Sequence, residues 1–167
     1  TDKELEGGPV MFPSPAVVAA SWDTELARRE GEAMAMECNA QNVDVNLAPG
    51  VNIKRSPLCG RNFEYYSEDP VLAGEMGAAA INGIQSKGVA ACIKHFAANN
   101  QETDRGTISS EIDERTLREI YLKPFEIAVK KSKPMSIMAA YNRLNGIYCS
   151  QNKWLLEDVL RKEWGFD

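Results

Sequence analysis

Lys94 and His95 are the residues best placed to do chemistry in this chain. They sit inside the segment VAACIKHFAANNQETDR, residues 89–105, and His95 is the only histidine among the 167 residues. Val89 to Ile93 form an apolar run of small and branched side chains, the pattern of a strand buried on both faces. That run ends in a cation and an imidazole. It then opens into a polar loop holding Asn99, Asn100, Gln101, Glu102, Asp104 and Arg105. Ligands of α/β folds bind beyond the carboxyl ends of the strands, so this is where such a protein would build a site. The plain alternative is that Lys94 and His95 only mark where the strand reaches the surface. Further hydrogen-bonding groups stand at other predicted strand ends, namely Arg55, Arg61, Tyr141 and Asn142. Convergent donors with few apolar neighbours suit a ligand rich in hydroxyls or in negative charge, with arginine supplying a rigid fork and lysine a point charge. On residue types alone, a phosphorylated ligand fits as well as a sugar.

Other chemistries find no support. The chain has no GxxxxGK[ST] phosphate loop, no HExxH and no GxSxG elbow. One histidine and the dispersed Cys38, Cys59, Cys92 and Cys149 do not make an ordinary zinc site, and no cofactor is expected. A net charge of −5 argues against a nucleic-acid partner. No run approaches the roughly 18 apolar residues that cross a bilayer, so no membrane partner is expected. The opening TDKELEGGPV lacks an initiator methionine and a signal peptide's apolar core, which leads us to expect a chain that begins inside a longer protein. Cysteines without CxxC spacing, one of them in a predicted buried strand, favour a reducing, cytoplasmic location.

The elements that must position these residues alternate. Residues 1–22 read as loop with a short helical turn at Ala16–Ala20. Asp23 caps a helix over 24–41 with a predicted buried stripe of Leu26, Ala27, Ala33, Met34 and Cys38. Val43, Val45 and Leu47 alternate with polar residues, giving a strand over 43–48, whose Asp44 reads as a structural side chain. A long loop over 49–69 follows, and loops of this length in compact domains tend to be functional. Asp69-Pro70 starts a helix carrying Leu72, Met76, Ala79, Ala80 and Ile84, ended by Lys87-Gly88. After the 89–95 strand, Asp113 caps a helix over 114–132 with Leu117, Ile120, Tyr121, Phe125 and Ala128 on one face. Pro124 should split or kink it. Ser136 to Tyr141 read as another buried strand, and 152–164 as a last helix stopped by Gly165. Alternation of this kind implies a parallel sheet with right-handed crossovers.

Four stretches carry a resemblance: NLAPGVNIKRSPLCGRNFEYYSEDP (46–70), KHFAANNQETDR (94–105), MAAYNRLNG (138–146) and LRKEWGF (160–166). In order and spacing they resemble the N-terminal barrel domain of family 3 glycoside hydrolases, in its β-glucosidase-like branch, over nearly the whole chain. The resemblance implies an α/β fold, a partial (β/α)8 TIM-type barrel with about three β-α units. Residues 1–167 would then be a fragment of that domain. It also implies a carbohydrate partner. Arg61, Lys94, His95, Arg105 and Tyr141 would contact a sugar in the −1 subsite, with Met138 lining its wall. Glu64 and Glu102 would orient those cations rather than react, since a carboxylate paired with arginine makes a poor acid. Arg55 would hold the long loop through Asp or backbone contacts.

Adjacent strand residues point to opposite faces, yet the resemblance gives both Lys94 and His95 to one ligand. A backbone irregularity is therefore expected there, either a bulge or a non-proline cis bond. The family's retaining mechanism uses an aspartate nucleophile and a glutamate acid/base, about 5–5.5 Å apart. That nucleophile would follow Asp167, in the strand after the WGF motif, and the acid/base would come from a later domain. The expectation is thus a retaining, exo-acting β-glucosidase of which this piece alone is inactive. Its open sheet edges would be covered by the rest of the enzyme or by self-association. The alternatives are a non-catalytic sugar-binding or structural barrel module and a phosphate-ligand enzyme on an open sheet.

Overall fold

The computed structural model describes residues 10–167. Helix α1 spans Pro15–Ala20 and α2 spans Thr24–Ala40, the latter capped by the Asp23 carboxylate, which accepts from the backbone of Glu25 and Leu26. Strand β1 is Val45–Asn46, α3 is Pro70–Gln85 and β2 is Ala90–Phe96. Asp69 accepts from Leu72 N at 2.7 Å, satisfying one of the free donors at the start of α3. A short strand β3, Ser109–Ser110, precedes α4, Glu114–Thr116, which runs into a π-helical turn at Leu117–Tyr121 and then into α5, Lys123–Ser132. Pro124 falls at the start of α5, so it splits the predicted helix as expected. Strands β4, Ser136–Ala139, β5, Arg143–Leu144, and β6, Ile147–Tyr148, follow, and the last helix, α6, winds in the π register over Trp154–Glu163.

The main sheet is parallel, in the order β1-β2-β4, with β2 central. Its parallel pairing and its helical crossovers are those expected. Ala91, Cys92, Ile93 and Phe96 of β2 are buried. Phe96 packs edge-to-face on Phe125 of α5 at 5.1 Å and on Trp164 at 5.9 Å, tying the strand to the helices around it.

Three expectations need correction. Val43, Val45 and Leu47 are exposed at 40%, 44% and 54%, because β1 is an edge strand with no layer over that face among the described residues. Strand β4 is only half-buried throughout, since it forms the other edge. In α2 the buried residues are Ala27, Gly31 and Ala35, while Leu26 is exposed. Here close helix approach outweighs apolar size. A Cβ on Gly31 would lie 2.4 Å from the Ala80 carbonyl oxygen, and one on Gly83 would lie 2.0 Å from that of Arg28.

A second small sheet, β3-β5-β6, was not foreseen. Its hairpin turns at Asn145 and Gly146, with φ of 48° and 83°, and Asn-Gly is the strongest short hairpin signal. This sheet fixes the loop after β2. Ser110 Oγ donates to the Ala98 carbonyl at 3.1 Å, Asn142 Nδ2 to that of Ala97 at 3.2 Å, and Tyr148 Oη to that of Gly106 at 3.3 Å.

The glycine crossing yields a test. Gly83→Ala should destabilise the protein by about 1–3 kcal/mol, the usual cost of overpacking, read as a lower Tm. A variant as stable as the parent would mean that α2 and α3 do not approach this closely.

Candidate functional site

The predicted site residues gather at the carboxyl end of β2. Lys94 is held on both backbone groups by the long loop: its N–H donates to the Pro49 carbonyl at 3.0 Å, and its carbonyl accepts from Val51 N at 2.9 Å. Its Nζ reaches Glu64 Oε2 at 2.9 Å, while Arg61 Nε donates to the other oxygen of the same carboxylate. Burial pushes the Glu64 carboxyl up, but the bonds from Arg61 and Lys94 outweigh it and hold the group below its ordinary range. Glu64 therefore stays ionised and orients two cations, as expected.

The backbone is irregular here, as expected. The Lys94–His95 and Phe96–Ala97 peptide bonds are cis, and the pairing of β2 with β4 shifts register between Lys94 and Phe96. His95 is 5% exposed. Asn52 clamps its main chain from both sides, accepting from His95 N at 2.8 Å and donating to His95 O at 2.9 Å. Its Nδ1 stands 3.1 Å from the Tyr65 hydroxyl and 3.3 Å from Asn52 Oδ1. Among the described residues Nε2 makes no hydrogen bond. Burial, with the positive charges of Arg61, Lys94 and Arg105 nearby, brings the His95 pKa down to about 4 against the pull of Glu64. The imidazole is neutral at pH 7.

Arg105 donates to Glu102 Oε2 at 2.7 Å, and its guanidinium lies 5.3 Å from the centre of the Tyr141 ring. Tyr141 is 68% exposed, so one face of this pair is open. Met138 of β4 is the register partner of Lys94 and is half-buried. Three cations thus share the space with two committed carboxylates, next to a neutral imidazole and an open aromatic ring. Such an array supplies donors to a hydroxyl-rich or anionic ligand. Among the described residues, no group of three His, Cys, Asp or Glu is placed to hold a metal ion, and the four cysteines are free thiols.

Arg55 is a partial correction. It does hold the long loop, but through Tyr121, whose hydroxyl it reaches at 2.6 Å, rather than through an Asp or the backbone. A wider groove lined by Arg55, Asn100, Gln101, Glu111 and Asp113 takes in none of Arg61, Lys94, His95, Arg105, Met138 or Tyr141. The convergence of charge, rather than the size of the hollow, marks the candidate site. Two supporting residues escaped sequence reasoning, Asn52 and Tyr65, while Asn99 was read only as a member of the polar loop. The one available signal was an asparagine set between Val51 and Ile53, a polar residue in an apolar run.

The profile of the glycosyl hydrolase family 3 N terminal domain matches residues 2–167. The chain belongs to glycoside hydrolase family 3. It is 61% identical over 156 residues to thermostable beta-glucosidase B of Acetivibrio thermocellus, covering 93% of this chain and 21% of that protein. It is 58% identical to an exo-alpha-(1->6)-L-arabinopyranosidase of Bifidobacterium longum, covering 100% of this chain and 22% of that protein. Among solved structures, beta-glucosidase 3B from Thermotoga neapolitana in complex with alpha-D-glucose superposes with a TM-score of 0.92 at 62% identity, covering 93% of this chain and 22% of that one. This family 3 chain therefore spans about a fifth of the length of these relatives. Its parallel sheet and helices form part of a (β/α)8-type barrel.

The buried imidazole sets a pH dependence. Its folded pKa of about 4 lies below the ordinary value near 6.5. Between these limits the unfolded chain binds the extra proton, so the stability due to neutral His95 is complete above about pH 6.5 and is lost as pH falls toward 4. His95→Gln should flatten that part of the curve, as measured by denaturant unfolding at several pH values. Parallel curves for the two proteins would contradict the assignment.

Proposed function

We propose that this chain supplies much of the −1 sugar subsite of a retaining, exo-acting β-glucosidase that removes terminal β-D-glucosyl residues. The observation that carries the reading is the convergence of Arg61, Lys94, His95, Arg105 and Tyr141 beside Met138, on a chain 61% identical to a beta-glucosidase. The cations and the imidazole Nε2 donate to sugar hydroxyls, and Tyr141 offers an apolar face to the ring. Glu64 and Glu102 are each bonded to cations, so we assign nucleophile and acid/base to other residues of the enzyme. The 167 residues alone are then inactive. The outer edges of β1 and β4, unpaired among the described residues, are closed by further strands of the same enzyme or by self-association. An arabinopyranoside substrate is the second reading, favoured by the Bifidobacterium longum relative at 58% identity.

The test uses the full-length enzyme carrying this chain, with nitrophenyl β-D-glucopyranoside and α-L-arabinopyranoside as rival substrates. Lys94→Ala or His95→Ala should lower kcat/KM by about 10- to 100-fold, the range for a lost hydrogen bond to a charged or buried group. Preference for the arabinopyranoside would move the reading to the second substrate. Full activity in both variants would refute the sugar-pocket assignment, and a parent protein inert on every glycoside would favour a non-catalytic module.

A further inference from the structure

The hydrogen bonds around His95 have a direction that can be traced from their charged end. Arg105 can only donate, and it donates to Glu102 Oε2 at 2.7 Å. The other oxygen, Glu102 Oε1, accepts from the amide nitrogen of Asn99 at 3.0 Å. That contact fixes the orientation of the Asn99 side chain. Its Nδ2 also donates to the Tyr65 hydroxyl at 3.1 Å. With one lone pair so engaged, the Tyr65 proton has two acceptors in reach: the Asn99 carbonyl at 3.5 Å and His95 Nδ1 at 3.1 Å. Donation along the shorter, stronger contact goes to His95 Nδ1. Nδ1 is then an acceptor, and the ring proton sits on Nε2.

Tyr65 is well suited to hold this state. It is 0% exposed, and its ring stands edge-on to the imidazole, 6.1 Å between centroids. Burial raises the phenol pKa above its ordinary value, so the hydroxyl remains a donor at any working pH. The competing arrangement would place the proton on Nδ1, facing Asn52 Oδ1 at 3.3 Å. That oxygen already accepts from the His95 backbone N–H at 2.8 Å. Without the Tyr65 hydroxyl, Nδ1 has only Asn52 to turn to, and it would have to carry the proton to do so. Nε2 would then become an acceptor.

We propose that Tyr65 is a positioning residue which, through the relay Arg105–Glu102–Asn99–Tyr65, fixes His95 as a donor at Nε2 toward the ligand. The proposal rests on His95 contacting the sugar, as argued above. Tyr65 does not touch the ligand and acts only through the imidazole. The relay also links the two halves of the site, since Glu102 accepts both from the guanidinium over the Tyr141 ring and from Asn99.

The experiment is a double-mutant cycle on the full-length enzyme with Tyr65→Phe, His95→Gln and the pair. Tyr65→Phe keeps the ring and its packing, and a Tm near the parent's confirms this. It should lower kcat/KM about three- to tenfold, as one neutral hydrogen bond would, and should add nothing in the His95→Gln background. An unchanged kcat/KM, or the same loss in both backgrounds, would overturn the proposal, because a purely structural tyrosine acts independently of the imidazole. Histidine ring 15N shifts give a second readout, with the His95 resonances identified by their loss in His95→Gln. The parent should show protonated Nε2, and Tyr65→Phe should show a shift toward protonated Nδ1. No such shift would overturn the relay even if the enzyme proved inert on glycosides, an outcome that would instead count against the functional reading.

Discussion

A single carboxylate holds the site together. Arg61 and Lys94 arrive from different elements, one from the long loop and one from the central strand, and two cations side by side would repel each other. Glu64 gives one oxygen to each. The bonds that it accepts also outweigh the cost of its own burial, so the carboxyl stays charged. Removing that anion would leave two half-buried cations without a partner, the situation in which breaking a buried ion pair costs most. Glu102 repeats the arrangement on the other side, paired with Arg105 and with Asn99. The acids of this site therefore define where the donors point.

The imidazole between these two pairs is governed by the same economy of charge. Three neighbouring cations and a buried position make a protonated ring unfavourable, and His95 remains neutral. A neutral histidine has one donor and one acceptor nitrogen, so its usefulness depends on which is which. Asn52 fixes the main chain of His95, and Tyr65 meets its inner nitrogen. The loop over 49–69 thus contributes far more than Arg61, since it also supplies the groups that hold Lys94 and His95 in place.

The sheet supplies the rigid base. Phe96 is locked between Phe125 and Trp164 immediately after Lys94 and His95, and the small second sheet pins the loop that carries Asn99 to Arg105. Both features place polar side chains on backbone that has little freedom to move.

Much of this was legible from residue order. The capping aspartates at 23, 69 and 113, the break at Pro124 and the buried run Val89–Ile93 follow from short-range patterns, while the pairing of Glu64 and Glu102 with cations came from the family resemblance. These patterns depend on local backbone geometry, which the sequence dictates directly. The exposure of Val43, Val45 and Leu47 was not legible, because burial depends on which strand ends up at an edge. Nor was the glycine crossing of α2 over α3, where two distant positions must be small together. The roles of Asn52 and Tyr65 depend on contacts across 30 to 43 residues of chain. The sequence by itself determined which groups could do chemistry and the parallel α/β frame that presents them. Only the tertiary structure decided which of these groups meet, because a donor finds its acceptor only when both have a fixed place.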